Sequence, residues 1–388
     1  MFSSRLPRQL EENAVTRALA RLRTAGTPVI DLTETNPTQV GLPYALDLHA
    51  GLAAPSALIY APEPLGLPMA RAAAAAEFAR QGAAVSAEQV VITASTSDAY
   101  AMLFKLLCDA GDEVLVPQPS YPLFDLLSRL DNVRTVPYAL EQHAGWALDR
   151  ASLERGRTAR TRAVLVVSPN NPTGSTLRDD DHRWLAAWCA AHDLALIVDE
   201  VFLDYPLRAT TLTTAAAVST PALTFTLNGL SKSAGLPQMK LGWMAVTGPE
   251  ALVASALAQI ELIMDTYLAV STPVQVAAAS LIARGVEVRA AILARVSVNL
   301  ERARAMVAGH PHVSLLEPEA GWCAVLRVPA TESEEARVLR LLETRHVLVH
   351  PGFFFDFAHE AYLVLSLLPP DDVFADGLAR VLDDAHIQ

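Results

Sequence analysis

Several short polar clusters in this chain carry residue types that could do chemistry, and each follows an apolar run. Lys232 stands among small residues in Asn228-Gly229-Leu230-Ser231-Lys232-Ser233. A lysine held away from water has a lowered pKa and can condense with a carbonyl as an imine; the ordinary reading of any one lysine is a solvated surface charge. Asp199-Glu200 ends the run Leu194–Val198 (LALIV). A carboxylate ending a buried strand is costly to desolvate unless it meets a cation, for which a pyridinium N–H would serve; the plainer role is a helix cap. Thr93-Ala94-Ser95-Thr96-Ser97-Asp98-Ala99 lies between a strand and a helix. Backbone N–H groups at a helix N-terminus with hydroxyls beside them suit a phosphate dianion, although Ser and Thr also make ordinary N-caps. Ser168-Pro169-Asn170-Asn171-Pro172-Thr173-Gly174 reads by itself as a turn. Lys240 follows Lys232 by eight residues.

Such clusters need a scaffold. Val90–Thr93, Glu113–Pro117, Ala163–Ser168 (AVLVVS), Leu194–Val198 and Ala222–Leu227 read as strands. The continuous apolar character of AVLVVS and LALIV predicts strands covered on both faces. Helices are expected over Ser97–Cys108, Leu123–Leu130 and Asp179–His192. Alternation of this kind predicts an α/β fold: a three-layer large domain with a mostly parallel sheet. In such a sheet ligands sit at the carboxyl ends of the strands, which is where the polar clusters fall. The last third changes character. Two long helices are expected, over Val274–Ala283 and Val286–Ala308, then short strands and a helix across Val313–Leu326 and Ala336–Leu348. The expected division is an N-terminal arm (1–45), a large ligand-binding domain (46–275) and a small C-terminal domain (276–388). The arm and the C-terminal third together make the smaller α+β domain.

Composition narrows the function classes. The 388 residues are 52% hydrophobic and 19% charged, as in a folded globular protein. A net charge of -12 argues against general nucleic-acid or anionic-membrane binding, so an anionic ligand must be held by local features. Cys108, Cys189 and Cys323 show no metal-ligand spacing and sit among apolar residues, which predicts buried thiols and no metal site. No apolar run reaches signal-peptide or membrane-spanning length, so the expectation is a cytoplasmic protein.

Each cluster is weak alone, but their order and spacing are not. Asn171 precedes Asp199 by 28 residues, and Asp199 precedes Lys232 by 33. With Tyr60 and Gly66, Pro119-Ser120-Tyr121-Pro122, Asn171-Pro172-Thr173-Gly174, Asp199-Glu200-Val201, Ser231-Lys232 and Pro351-Gly352, the chain resembles the class I/II aminotransferases, of the aspartate-aminotransferase fold type. The resemblance runs from Asp31-Leu32 to about Pro369. It implies pyridoxal 5′-phosphate (PLP) as cofactor, held as an imine on Lys232, which then shuttles the substrate Cα proton. It implies that Asp199 pairs with the pyridine N–H, that Asn171 donates to the phenolic oxygen O3′, and that Tyr121 stacks on the ring. Ser95, Thr96 and Ser231 would hold the phosphate with Lys240 as its cation. Tyr60 would reach the neighbouring subunit's phosphate, so a homodimer with shared sites is implied.

The departures from that family cluster. Phe202 stands where relatives carry a Tyr that donates to O3′, and Lys240 where they carry Arg. Tyr362-Leu363-Val364-Leu365-Ser366 replaces a pattern whose central Arg clamps the substrate α-carboxylate. Thr35, in Glu34-Thr35-Asn36-Pro37, aligns with a common Gly beside that carboxylate. Thr35, Asn36 and Val364 are therefore the candidate substrate-side residues. Either another residue, such as Lys240, His350 or a distant arginine, supplies the charge, or the substrate presents something else there. The expected reaction is transfer of an amino group between an amino donor and a keto acceptor. The alternatives are a PLP-dependent lyase (C–S β-elimination) or decarboxylase on the same scaffold, and a non-enzymatic regulator of this fold, disfavoured because no basic DNA-binding module is present.

Overall fold

The computed structural model describes residues 2–8, 11–143, 145–209, 211–268 and 270–386. An eight-stranded sheet dominates. Its strands are β1 (Val90–Thr93), β2 (Glu113–Gln118), β3 (Arg134–Gln142), β4 (Trp146–Leu148), β5 (Thr161–Val167), β6 (Ala195–Asp199), β7 (Thr224–Gly229) and β8 (Gly242–Thr247). They lie in the order β1-β8-β7-β6-β5-β2-β3-β4. The pairs β3/β2, β2/β5, β5/β6 and β6/β7 are parallel, whereas β8 runs antiparallel to both β7 and β1. One consequence decides the site. Because β8 is reversed, its first residue Gly242 lies at the same sheet edge as the last residues of β1, β2, β5, β6 and β7. The segments after Thr93, Gln118, Val167, Asp199 and Gly229, and the segment before Gly242, therefore converge.

Both faces of the sheet are covered, which is why the central strands are apolar throughout. On one face Tyr100, Leu103 and Phe104 of helix α1 (Thr96–Leu107) share a buried cluster with Val114, Leu165, Ile197, Phe225 and Met264. On the other, Leu185, Trp188 and Cys189 of the helix Asp179–Ala191 pack on Leu115, Val164, Val166, Leu196 and Val198. The strand-helix alternation expected from the sequence is present, with strand ends shifted by a residue or two.

The C-terminal third differs from expectation at one point. Residues 278–307 form a single helix of 30 residues, α3 (Ala278–Val307), preceded by a short turn of helix at Thr272–Val276. Gly285 does not break it. A glycine in a helix interior costs only about 1 kcal/mol relative to alanine, and here the missing side chain has a use. A Cβ on Gly285 would stand 2.3 Å from the Ala234 Cβ. The helix thus passes close against the segment that follows Lys232. Its first turn carries Leu281 into the cluster around Phe78 and Trp243, and the turns beyond Gly285 carry Val288, Ile292, Val296 and Leu300 into the largest cluster. That cluster is closed by Trp322, Leu326, Leu363, Leu365 and Phe374 around a small four-stranded antiparallel sheet of Ser314–Leu316, Cys323–Arg327, Tyr362–Ser366 and His350–Pro351. The N-terminal arm belongs to this part of the molecule. Ile30–Asp31 pairs in parallel with Val347–Leu348, and Ala18 of the helix Ala14–Thr24 packs on Leu342 and Leu348. Cys189 and Cys323 are buried thiols as expected, whereas Cys108 is half-buried. Among the described residues no helix is long and apolar enough to cross a membrane, and no cluster of potential metal ligands occurs.

Candidate active site

At the converging edge of the sheet lies a cavity of about 440 Å³, lined among others by Thr35, Ser95, Thr96, Tyr121, Asn171, Asp199, Ser231, Lys232 and Lys240. The polar clusters from five strand ends and the N-terminal arm meet in this one space.

Lys232 sits on helix α2 (Leu230–Ser233), a single turn entered from β7. The turn is fixed from three sides. The Leu230 N–H donates to the Leu241 carbonyl (2.9 Å), the Tyr205 hydroxyl donates to the Lys232 carbonyl, and Arg289 on α3 donates to the Ser233 carbonyl (3.3 Å). With its backbone held, the lysine reaches into the cavity. Its Nζ lies 4.6 Å from the ring centre of Trp322 and 5.4 Å from that of Phe202. Burial lowers the ammonium pKa to about 8, against the opposing influence of Cys323 and Asp199. A neutral amine is thereby accessible at mildly alkaline pH. Tyr205, the residue that could have stood in for the hydroxyl missing at Phe202, is committed to the Lys232 carbonyl.

Asp199 ends β6 and is 6% exposed. Its Oδ2 accepts the Tyr100 hydroxyl at 2.5 Å and its Oδ1 accepts the Val201 N–H at 3.1 Å. Burial raises the carboxyl pKa, and these two donors oppose the shift. Tyr100 is a functional residue that the sequence reading missed. It sits four residues after Thr96 on α1 and, read among Ala99, Met102, Leu103 and Phe104, passes for core. Only its hydroxyl, which must find a partner when buried, distinguishes it.

Ser95 is the N-cap of α1, its Oγ accepting the Asp98 N–H at 3.1 Å. The first-turn N–H groups beyond it have no acceptor within the helix. Lys240 lines the same space from a left-handed backbone (φ 51°) just before β8. Two glycines bring these parts together. A Cβ at Gly242 would lie 3.0 Å from Thr93 Oγ1 and 3.1 Å from the Ser95 carbonyl carbon, and one at Gly229 would lie 2.9 Å from the Gly242 Cα. The loop of Ser95 can therefore approach β8 only where side chains are absent.

The other expected residues are placed as follows. Tyr121 lines the cavity and meets Phe124 edge-on at 5.9 Å between ring centres. Asn171 lines it too, its Oδ1 accepting from Cys323 Sγ at 3.6 Å. Thr35 and Lys232 also line an adjoining cavity of about 420 Å³, together with Asp31, Thr33, Glu34 and Asn36. Val364 does not line either space. It is 1% exposed, in a strand between Val325 and His350, within an apolar cluster that includes Cys323, Phe355 and Phe357. Among the described residues the cations lining the two cavities are Lys232 and Lys240. Tyr60 is 77% exposed and outside both.

PLP makes four demands: an amine for its aldehyde, an anion for its ring nitrogen, a donor for its phenolic oxygen and a cationic cradle for its phosphate. The cavity offers Lys232, the otherwise costly buried carboxylate of Asp199, the Asn171 amide, and the α1 N-terminus with Lys240, on a cradle that a Cβ at Gly242 would fill. The residues present fit the group.

Comparison with known proteins agrees. The model of the family described as aminotransferase class I and II matches residues 28–372. The chain is 28% identical over 300 residues to an alanine aminotransferase of Mycobacterium tuberculosis, covering 76% of this chain and 70% of that one. It is 25% identical over 386 residues to the glutamate-pyruvate aminotransferase AlaA of Escherichia coli, covering 96% and 95%. Among solved structures it is similar to an alanine aminotransferase from Pyrococcus furiosus, with a TM-score of 0.89 at 23% identity and full coverage of both chains. An aminotransferase from Escherichia coli gives the same TM-score at 24% identity, covering 100% of this chain and 98% of that one. A cavity built for PLP, on this fold and with a family match over nearly its whole length, leads to one statement: the chain belongs to the class I and II aminotransferases and is a PLP-dependent transferase.

Proposed function

We propose that this enzyme moves an amino group from an amino donor to a keto acceptor through PLP held on Lys232, and that its substrate is not clamped by an arginine at position 364. One observation carries the first part: a lysine with a lowered pKa and a buried carboxylate line the same cavity. When bound, PLP supplies an electron sink for negative charge developing at the substrate Cα. Lys232 would hold the cofactor and would carry the proton to and from the substrate Cα. Asp199 would pair with the protonated ring nitrogen, and the Tyr100 hydroxyl and Val201 N–H favour its ionised form against burial. Asn171 donates to the phenolic oxygen and Tyr121 covers one ring face. Ser95, Thr96, Ser231 and Lys240 hold the phosphate. Tyr60 completes that phosphate site from the neighbouring subunit of a homodimer, which its exposure leaves it free to do.

The second part rests on Val364, sealed in an apolar cluster, and on the acidic character of the adjoining cavity, where Asp31 and Glu34 stand beside Thr35 and Asn36. A carboxylate placed there without a partner cation is unfavourable. The relatives named for alanine and for glutamate and pyruvate make amino acids the donors to try first. The test is a spectral titration of the PLP form with amino acids and amines. Transfer converts the visible band to that of the pyridoxamine form, whereas a retained band with release of pyruvate indicates β-elimination. Alanine, aspartate and glutamate are expected to react slowly. Val364→Arg, which would bury an unpaired guanidinium in that apolar cluster, is expected to lower the thermal midpoint without improving their kcat/KM. Val364→Leu controls for packing. Fast turnover of these amino acids by the wild type overturns the reading of this subsite.

A further inference from the structure

We infer that Cys323 is a positioning residue for the cofactor: its thiol fixes the orientation of the Asn171 side-chain amide. The inference rests on the reading that Asn171 faces the phenolic oxygen of PLP, and goes beyond it.

A side-chain amide has a donor end and an acceptor end, and only the NH₂ end can serve a phenolate oxygen. For that end to face the cofactor, the carbonyl end must be turned away and given a donor. Asn171 stands in the turn after β5, where a cis peptide bond joins it to Pro172, and Cys323 reaches it from the small antiparallel sheet. The thiol of Cys323 donates to Asn171 Oδ1 at 3.6 Å, a normal length for a bond to sulfur. Cys323 is 8% exposed, and burial pushes its pKa up to about 12, so it stays a thiol and keeps its proton to donate. A thiolate could not perform this task.

Two neighbouring features make the orientation matter. Phe202, 6% exposed, turns a ring and not a hydroxyl toward the site, so it gives the phenolic oxygen no hydrogen bond. Tyr205 points its hydroxyl at the Lys232 carbonyl. Support for the phenolate charge thus falls on Asn171, and an amide that flips end for end would present a carbonyl oxygen to that charge. The thiol disfavours the flipped state, because flipping exchanges the S–H···O bond for a contact in which sulfur, a weak acceptor, faces the NH₂ group.

The pKa of the C=N linkage between Lys232 and PLP, read from the pH dependence of the visible band, reports this directly and without turnover. A donor at the phenolic oxygen stabilises its negative charge and so favours loss of the linkage proton, which lowers that pKa. Cys323→Ala and Cys323→Val both remove the donor, and each is expected to raise the pKa by about half a unit or more, the scale of one neutral hydrogen bond. Cys323→Ser restores a donor and is expected to return it to the wild-type value or below. Packing alone gives a different pattern: Val, which refills the volume, would match the wild type while Ala would not, and that outcome overturns the inference. Equal pKa values in wild type, Ala and Val also overturn it. Asn171→Ala separates this failure from failure of the underlying assignment. If Asn171→Ala raises the pKa and the Cys323 variants do not, Asn171 faces the oxygen without help from Cys323. If Asn171→Ala leaves the pKa unchanged, the assignment of Asn171 itself falls, and the inference with it.

Discussion

Lys232 shows how one side chain's environment sets its chemistry. Its ammonium lies over two aromatic faces, an arrangement that favours the charged form, yet burial prevails and brings the pKa down to about 8. Condensation with an aldehyde needs the neutral amine. The rate at which apoprotein recombines with PLP is therefore expected to rise with pH with a midpoint near 8; a midpoint close to the ordinary lysine value of about 10.4 would show that the lysine is not desolvated in this way. At this scale the sequence was most informative where residue type and chemistry coincide. Lys232, Asp199 and Ser95 could each be singled out because a lysine, carboxylate or hydroxyl after an apolar run calls for a reason, whereas Asn171 and Lys240 acquired roles only through the family resemblance. Tyr100 and Trp322 could not, because an aromatic residue in an apolar stretch is already accounted for as core. Cys323 was noticed only as a buried thiol, since its partner lies 152 residues away and no local pattern reveals it.

At the scale of elements, the contact between α3 and the segment after Lys232 is the one most open to test. Alanine normally favours a helix interior over glycine by about 1 kcal/mol. At Gly285 the added Cβ would meet Ala234 at 2.3 Å from Cβ and 2.9 Å from Cα. Overpacking of this kind costs typically ~1–3 kcal/mol, so Gly285→Ala is expected to lower the thermal midpoint and weaken the visible band of the PLP form. A raised midpoint would mean that helix propensity outweighs the contact. Arg289, one turn further along α3, ties the same place to the large domain. It pairs with Glu77 and Asp204, each at 3.4 Å, and Arg80 closes the group at 2.9 Å and 2.6 Å. The strands of the parallel core were legible because both faces are buried and the apolar runs are continuous. The strand Gly242–Thr247 was not, since Gly-Trp-Met-Ala-Val-Thr gives no alternation and its antiparallel direction follows from tertiary pairing alone. The helix Glu250–Tyr267 was likewise not among the expected elements. The single helix through Gly285 was read as two because a glycine between helical stretches is a breaker unless something packs against it, and Ala234 lies 51 residues upstream.

For the whole molecule, the pH dependence of stability carries information about Glu200, directly behind Asp199. It is fully buried; its Oε2 accepts the Thr214 hydroxyl at 2.5 Å and its Oε1 the Ala215 N–H at 2.6 Å. Burial outweighs these donors and raises its pKa from the usual 4.5 to about 8. A carboxyl whose pKa is raised on folding contributes stability that is complete below the unfolded value and is lost as pH rises through the folded value. The wild type is therefore expected to lose roughly 3–5 kcal/mol between pH ~5 and ~8.5 relative to Glu200→Gln, which cannot ionise. A constant difference between the two proteins across that range would show that Glu200 is ionised throughout.

The cavity has two walls of separate origin. The ends of β1, β5, β6 and β7 carry Ser95, Thr96, Asn171, Asp199, Ser231 and Lys232, whereas Thr35 and Cys323 come from the arm and the small sheet. The two walls share no strand. Apart from Cys323, whose thiol bonds the Asn171 amide, and Trp322, whose ring lies over Lys232, selectivity can therefore drift by mutation on one wall while the side chains of the other are inherited unchanged. For an engineer this makes the arm around Thr35 the part to randomise when a new donor is wanted, and the strand ends, Trp322 and Cys323 the part to leave alone.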